Sequence, residues 1–224
     1  MYGNLPRMGR ELERAMTDPK RGDCQGIGLT FEGTDHNPPV QEYVTEMAWQ
    51  TQAPPLKKWV VDYSERRYGK SFPETAQAWE ILRTNYYVLG GPAGSLLTTR
   101  PRLETKPEIP ARLAHAQRAW ELLMSRATDL GGLETYRFDV VNLTREILAG
   151  LAQPLVAEAS KAFEEREADR FASASQRLLA LFDDLDRLLA TDRHFLLGAW
   201  LEDAKRWAQN DSERQLYEWN ARNL

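Results

Sequence analysis

Residues 136–151 read Tyr136-Arg137-Phe138-Asp139-Val140-Val141-Asn142-Leu143-Thr144-Arg145-Glu146-Ile147-Leu148-Ala149-Gly150-Leu151, and their spacing decides the fold class. Val140, Leu143, Thr144, Ile147, Leu148 and Leu151 recur every three or four positions, which places them on one arc of an α-helix. Asp139, Asn142, Arg145 and Glu146 fill the other arc. Downstream, Pro154 should kink or break this helix before it resumes to about Glu167. Residues 172–190 carry a wide stripe of Leu178, Leu179, Leu181, Phe182, Leu185, Leu188 and Leu189, with Asp183, Asp184 and Arg187 facing away. Thr191-Asp192 caps a helix over 193–208, and a last helix covers 211–222.

Upstream the same period continues. Helices are expected over 111–126, 74–89 and 56–68, and over a stretch with Val40, Tyr43, Val44, Met47 and Ala48. The latter starts after Pro38-Pro39 and is closed by Pro54-Pro55. Residues 6–17 give a further short helix, with Pro6 suited to its first turn. Residues 90–110 read as a loop of Gly, Pro and Thr, long for a compact domain and therefore expected to be functional or mobile. Trp79, Trp120, Trp200 and Trp207 lie on apolar helix faces and read as core. Cys24–Phe31 is the one credible strand, interrupted by glycines. A lone strand needs sheet partners, and the chain supplies none.

The 224 residues suffice for one large or two small domains. A net charge of −4 and a pI near 5.6 argue against nucleic acid as a partner and give no reason to expect a membrane surface. No apolar run approaches the roughly 18 residues of a membrane span. The single cysteine, Cys24, allows no intrachain disulfide and no cysteine-built zinc cluster. His36, His115 and His194 are too far apart in sequence for a local metal motif, which leaves open only a site assembled from distant parts of the chain; no metal and no cofactor is expected.

The chemistry-bearing stretch is Gly26-Ile27-Gly28-Leu29-Thr30-Phe31-Glu32-Gly33-Thr34-Asp35-His36-Asn37. Small residues lead into an acid and then a loop. At the C-terminal end of a β/α-barrel strand such an acid sits at the catalytic mouth, and glycines let a sugar or a neighbouring backbone approach. From the residues alone, Glu32 serves equally as a helix cap or an arginine partner, and Asn37 as a sugar contact or a helix start.

This segment resembles the part of α-N-acetylglucosaminidases that carries the catalytic nucleophile. Further resemblances follow in the same order: Ser64-Glu65-Arg66-Arg67-Tyr68-Gly69, the alanine–tryptophan helices at Trp79 and Trp120, Arg100-Pro101-Arg102-Leu103, Tyr136 to Arg145, Phe195 to Glu202, and Tyr217 to Arg222. The resemblance implies a retaining hydrolase that removes terminal α-linked N-acetylglucosamine, with Glu32 as nucleophile and Asn37 and His36 as substrate contacts. The family's general acid lies on an earlier barrel strand, and none of Glu11, Glu13, Asp18 or Asp23 matches it. Phe31 and His36 depart from the family's usual proline and glutamine.

The expected architecture is mainly α: residues 1–37 as a βα remnant of a barrel, then residues 38–224 as a helical C-terminal domain cut at its end. A barrel alone takes roughly 250 residues, so the isolated chain should not turn over substrate. The expected partners are a carbohydrate bearing terminal N-acetylglucosamine and the missing barrel portion, or further copies of the chain. The alternative is a non-catalytic helical interaction module completed by a partner chain. Family members are lysosomal or exported. Met1 to Arg7 lacks a signal-peptide core, and the compartment stays open.

Overall fold

The computed structural model describes residues 1, 3–30, 37–50, 52–89 and 112–223. Helix α1 (Leu5–Thr17) starts where the Asn4 side chain accepts the Arg7 N–H at 2.9 Å, with Pro6 in its first turn. Helix α2 (Pro38–Met47) opens on two prolines, whose missing N–H groups cost nothing in a first turn. Helix α3 (Leu56–Tyr68) is closed by Gly69 at φ +66°, a conformation that a side chain would strain. Helix α4 (Pro73–Asn85) leads into Tyr86 and Tyr87 and then strand β2 (Val88–Leu89), which pairs antiparallel with β1 (Gly3–Asn4).

Beyond residue 111 the chain forms α5 (Leu113–Met124), the short α6 (Ala127–Leu130), the long α7 (Glu134–Glu164) and α8 (Ala168–Leu189). A 3₁₀ turn (Arg193–Phe195) follows, then α9 (Leu197–Arg206) and α10 (Asp211–Arg222). The core lies where α1 to α5 meet the first half of α7, around Leu5, Tyr43, Met47, Trp79, Leu123 and Leu143. Each such side chain, fully buried, contributes about 1.5–3 kcal/mol. Within the core, Tyr43 meets Trp59 edge-on at 5.1 Å. Trp59 stacks on Tyr63 at 5.2 Å, and Tyr63 meets Trp79 edge-on at 4.8 Å. Such pairs add roughly 0.5–1.5 kcal/mol beyond their buried area.

Helix packing sets two glycine positions. A Cβ on Gly9 would collide with the Tyr43 hydroxyl, and one on Gly150 would lie 2.8 Å from Leu113 Cδ1. Gly9 thus lets α1 approach α2, and Gly150 lets α7 cross α5.

The mainly helical architecture expected from the period is what the chain adopts. Four local expectations need correction. Residues 24–30 form no strand, because no neighbouring strand offers them a ladder; Phe31 lies outside the described residues. The helix expected over 74–89 stops at Asn85, since Val88 and Leu89 pair with β1 instead. Of the kink or break expected at Pro154, the break does not occur: α7 runs continuously through it. The residue four positions earlier, whose carbonyl meets the proline ring, is Gly150, and α5 and α8 pack along the helix. Finally, the four tryptophans are not alike. Trp79 is 2% exposed and Trp120 half-buried, but Trp200 is 37% and Trp207 83% exposed. Period marks a helix face; it does not say whether anything covers it. The 90–110 loop falls outside the described residues.

Candidate functional site

The most concentrated chemistry among the described residues lies where α3, α4 and α7 meet. Arg67, on the last turn of α3, donates from Nε to Asp139 Oδ2 at 2.5 Å and from Nη2 to Asp139 Oδ1 at 2.8 Å. This two-point geometry suits a guanidinium better than an ammonium. Tyr68, the next residue, donates its hydroxyl to Asp139 Oδ2 at 2.9 Å and accepts the Trp79 indole N–H at 3.0 Å. An indole can only donate, so the chain of bonds has one direction, from Trp79 through Tyr68 to Asp139. Asp139 is the common acceptor. Its side chain is 5% exposed and that of Arg67 10%.

Burial pushes the Asp139 carboxyl above its ordinary range, and the Arg67 charge and the three donated bonds pull it part of the way back. Burial works to lower the Arg67 pKa, but the facing carboxylate outweighs it and holds the guanidinium more firmly protonated than usual. Burial also raises the Tyr63, Tyr68 and Tyr87 hydroxyls well above the ordinary tyrosine range, so none ionises near neutrality. Tyr63 and Phe138 rings lie 5.7 and 5.8 Å from the Arg67 guanidinium carbon. Glu42, on α2, stands 4.0 Å from Arg67 Nη1 at the half-exposed edge.

The start of α2 sits beside this cluster. Pro38 and Pro39 line a small cavity with Asp139, Asn142, Trp79 and Tyr87. β1 closes over the same point: a Cβ on Gly3 would lie 2.5 Å from Val40 Cγ2 and 3.7 Å from Asn37 Nδ2. Asn37 is half-buried at the N-cap of α2, where its backbone carbonyl accepts Val40 N–H at 3.1 Å and Gln41 N–H at 3.2 Å. It starts the helix through its backbone, and its side chain makes no capping bond. Glu32 and His36 lie outside the described residues. No group of three or more histidine, cysteine or acidic side chains capable of holding a metal occurs among the described residues.

Asp139 reads in the sequence as a polar residue on a helix surface or against a missing barrel. It is instead the buried centre of the cluster. The legible signal was a carboxylate flanked by Phe138, Val140 and Val141. Its partner, 72 positions away in α3, carried no local mark.

Residues 59–224 match the family model described as the alpha-N-acetylglucosaminidase C-terminal domain. The chain belongs to the α-N-acetylglucosaminidase family. Human alpha-N-acetylglucosaminidase is 33% identical over 229 aligned residues, which span 99% of this chain and 31% of the human protein. Among solved structures, a family 89 glycoside hydrolase from Clostridium perfringens in complex with 2-acetamido-1,2-dideoxynojirmycin is 27% identical with a TM-score of 0.88. A variant of the Clostridium perfringens enzyme with two glutamates changed to glutamine, in complex with its substrate GlcNAc-alpha-1,4-galactose, is 26% identical with the same TM-score of 0.88. Each match covers 99% of this chain and 26% of the bacterial one. The chain therefore spans about a third or less of the length of the α-N-acetylglucosaminidases it resembles.

Proposed function

We propose that this chain is the nucleophile-bearing segment and helical part of a retaining glycoside hydrolase that releases terminal α-linked N-acetylglucosamine. The observation that carries the reading is the fold match over 99% of the chain to an enzyme whose complex holds GlcNAc-alpha-1,4-galactose. Glu32 is the nucleophile in this reading, and Asn37 and His36 contact sugar hydroxyls.

The chemistry demands a second carboxyl. A retaining enzyme sets two carboxyls about 5–5.5 Å apart, one attacking the anomeric carbon and the other protonating the leaving oxygen. The second must keep its proton beside an ionised neighbour. In this reading the acid comes from a barrel portion outside the 224 residues, so the isolated chain is inactive. The helical part contributes rigidity: the Arg67–Asp139 cluster and β1 hold the start of α2, six residues beyond Glu32.

The test is hydrolysis of an aryl α-N-acetylglucosaminide. The isolated chain should give no turnover above background, whereas the chain joined to a family barrel portion should turn over, and Glu32→Gln should abolish that activity. Turnover by the isolated chain, lost in Glu32→Gln, overturns its incompleteness. A completed enzyme indifferent to Glu32→Gln overturns the nucleophile assignment.

A second reading, a non-catalytic helical module completed by a partner chain, draws on the exposed apolar side chains of the last two helices. Leu197 is 54%, Trp207 83%, Leu216 52% and Trp219 64% exposed. Binding of N-acetylglucosamine without turnover by the completed assembly favours that reading.

A further inference from the structure

We infer that Glu42 is a positioning residue for the start of α2, its carboxylate being the acceptor reserved for two donors of α3, Arg67 Nη1 and the Tyr63 hydroxyl. The inference rests on the reading that a barrel portion completes the site around Glu32.

The polar contacts between α2 and α3 repeat one helical turn apart. In the first rung, Glu46 of α2 accepts the Trp59 indole N–H at 2.7 Å and an Arg66 Nη2 N–H at 3.4 Å. One turn earlier on α2 comes Glu42. One turn later on α3 comes Tyr63, with Arg67 four residues beyond it on the same face. The second rung has the same parts as the first: an acid, an aromatic donor and an arginine. Each arginine lies over its aromatic ring, Arg66 at 6.0 Å from the Trp59 centroid and Arg67 at 5.7 Å from that of Tyr63.

The second rung lacks the bonds of the first. Arg67 Nη1 stands 4.0 Å from Glu42 Oε1, beyond hydrogen-bond reach. Arg67 gives Nε and Nη2 to Asp139 in a fixed fork, so Nη1 is the nitrogen it has left. The Tyr63 hydroxyl is fully buried and has no hydrogen-bond partner. Its nearby carboxylates include Asp139 and Glu42. Asp139 already accepts three bonds, whereas the Glu42 carboxylate accepts none among the described residues. Burial pushes the Glu42 carboxyl above its ordinary range, as befits an acid that has lost water and gained no donor. A phenylalanine at position 63 would fill the same space without an unpaired hydroxyl. Such a local inconsistency marks a group that serves geometry elsewhere.

The Glu42 side chain is 45% exposed, so water competes for its oxygens. A barrel portion packed over the start of α2 removes that water, and the carboxylate turns to the two donors. The closed rung then fixes α2, and with it Asn37 and the segment running back to Glu32.

The test uses the chain joined to a family barrel portion, with hydrolysis of an aryl α-N-acetylglucosaminide as readout. Tyr63→Phe should lower kcat/KM roughly two- to tenfold, the weight of one net hydrogen bond. Glu42→Ala should lower it at least as much, and the double variant should match Glu42→Ala, because both changes open one rung. Glu42→Gln keeps an acceptor oxygen and should recover part of the loss. A merely helical role predicts the reverse order, since alanine is the stronger helix former. In the isolated chain, where the rung is open, Tyr63→Phe should leave the melting temperature unchanged or raise it. Losses that multiply in the double variant, or a Glu42→Ala enzyme as active as wild type, overturn the proposal. So does a Tyr63→Phe chain that melts lower than wild type. A joined protein without activity, or one indifferent to Glu32→Gln, counts against the nucleophile reading instead. The rung is then decided by thermal unfolding of the joined protein: coupling between positions 42 and 63 supports it, and independent effects overturn it.

Discussion

Replacing Asp139 with alanine removes the acceptor on which three buried donors converge, and the consequences can be worked from the geometry. Arg67 keeps its charge at 10% side-chain exposure, with Glu42 at 4.0 Å as its remaining acidic neighbour. Tyr68 keeps a buried hydroxyl with a proton to give and no acceptor for it. Breaking a buried pair from one side costs about 3–5 kcal/mol, because the surviving charge is left uncompensated. In a chain of this size each kcal/mol moves the melting temperature by about 2–4 °C, so Asp139→Ala should lower it by roughly 6–20 °C. The assay is denaturant unfolding followed by circular dichroism and tryptophan fluorescence. A companion variant, Arg67→Met with Tyr68→Phe and Asp139→Leu, removes both charges and the Tyr68 hydroxyl, and leaves one neutral donor, the Trp79 indole N–H, without its acceptor. Replacing a whole buried ionic cluster with apolar side chains is often neutral, so this triple variant should recover most of the loss. A cost for Asp139→Ala below about 1 kcal/mol, the range of a surface pair, would refute the reasoning. So would a triple variant less stable than the single one.

Two more outcomes follow from packing and charge. Gly9→Ala, which in an exposed helix would gain about 1 kcal/mol from propensity, should instead lose about 1–3 kcal/mol through overpacking, because the new methyl meets the Tyr43 hydroxyl; a stability equal to or above wild type contradicts the tight α1–α2 approach. Acidification should also destabilise the fold. Hydrogen bonds from Arg126, Arg83, Lys205 and Arg222 hold the Glu74, Glu80, Glu202 and Glu218 carboxyls, respectively, below their ordinary 4.5. The folded chain then binds fewer protons than the unfolded one, so this stability is present above pH 4.5 and is lost as pH falls through the folded values. Burial raises Asp139 and Glu42, and these two groups act in the opposite sense. Unfolding midpoints measured from about pH 6 down to about pH 3 should fall, and a flat profile counts against these pairings.

Much of the secondary structure was determined by the sequence alone. The helix expected over residues 56–68 is α3 to the residue, because proline precedes it and Gly69 follows it, and both act on their own backbone. The last helix, expected over 211–222, begins where Asn210 accepts the Glu213 N–H, another bond within one turn. Such signals are local, so a linear reading finds them. The tertiary structure decided the rest. Whether residues 24–30 form a strand depends on a neighbouring strand, and whether Trp79 and Trp207 are core depends on what covers each face. The pairing of Arg67 with Asp139, and the meeting of Tyr87 with Asn142 around one cavity, join residues that are far apart along the chain. Periodicity names the face a residue occupies, whereas burial and pairing are properties of two surfaces. The second surface exists only once the helices have packed.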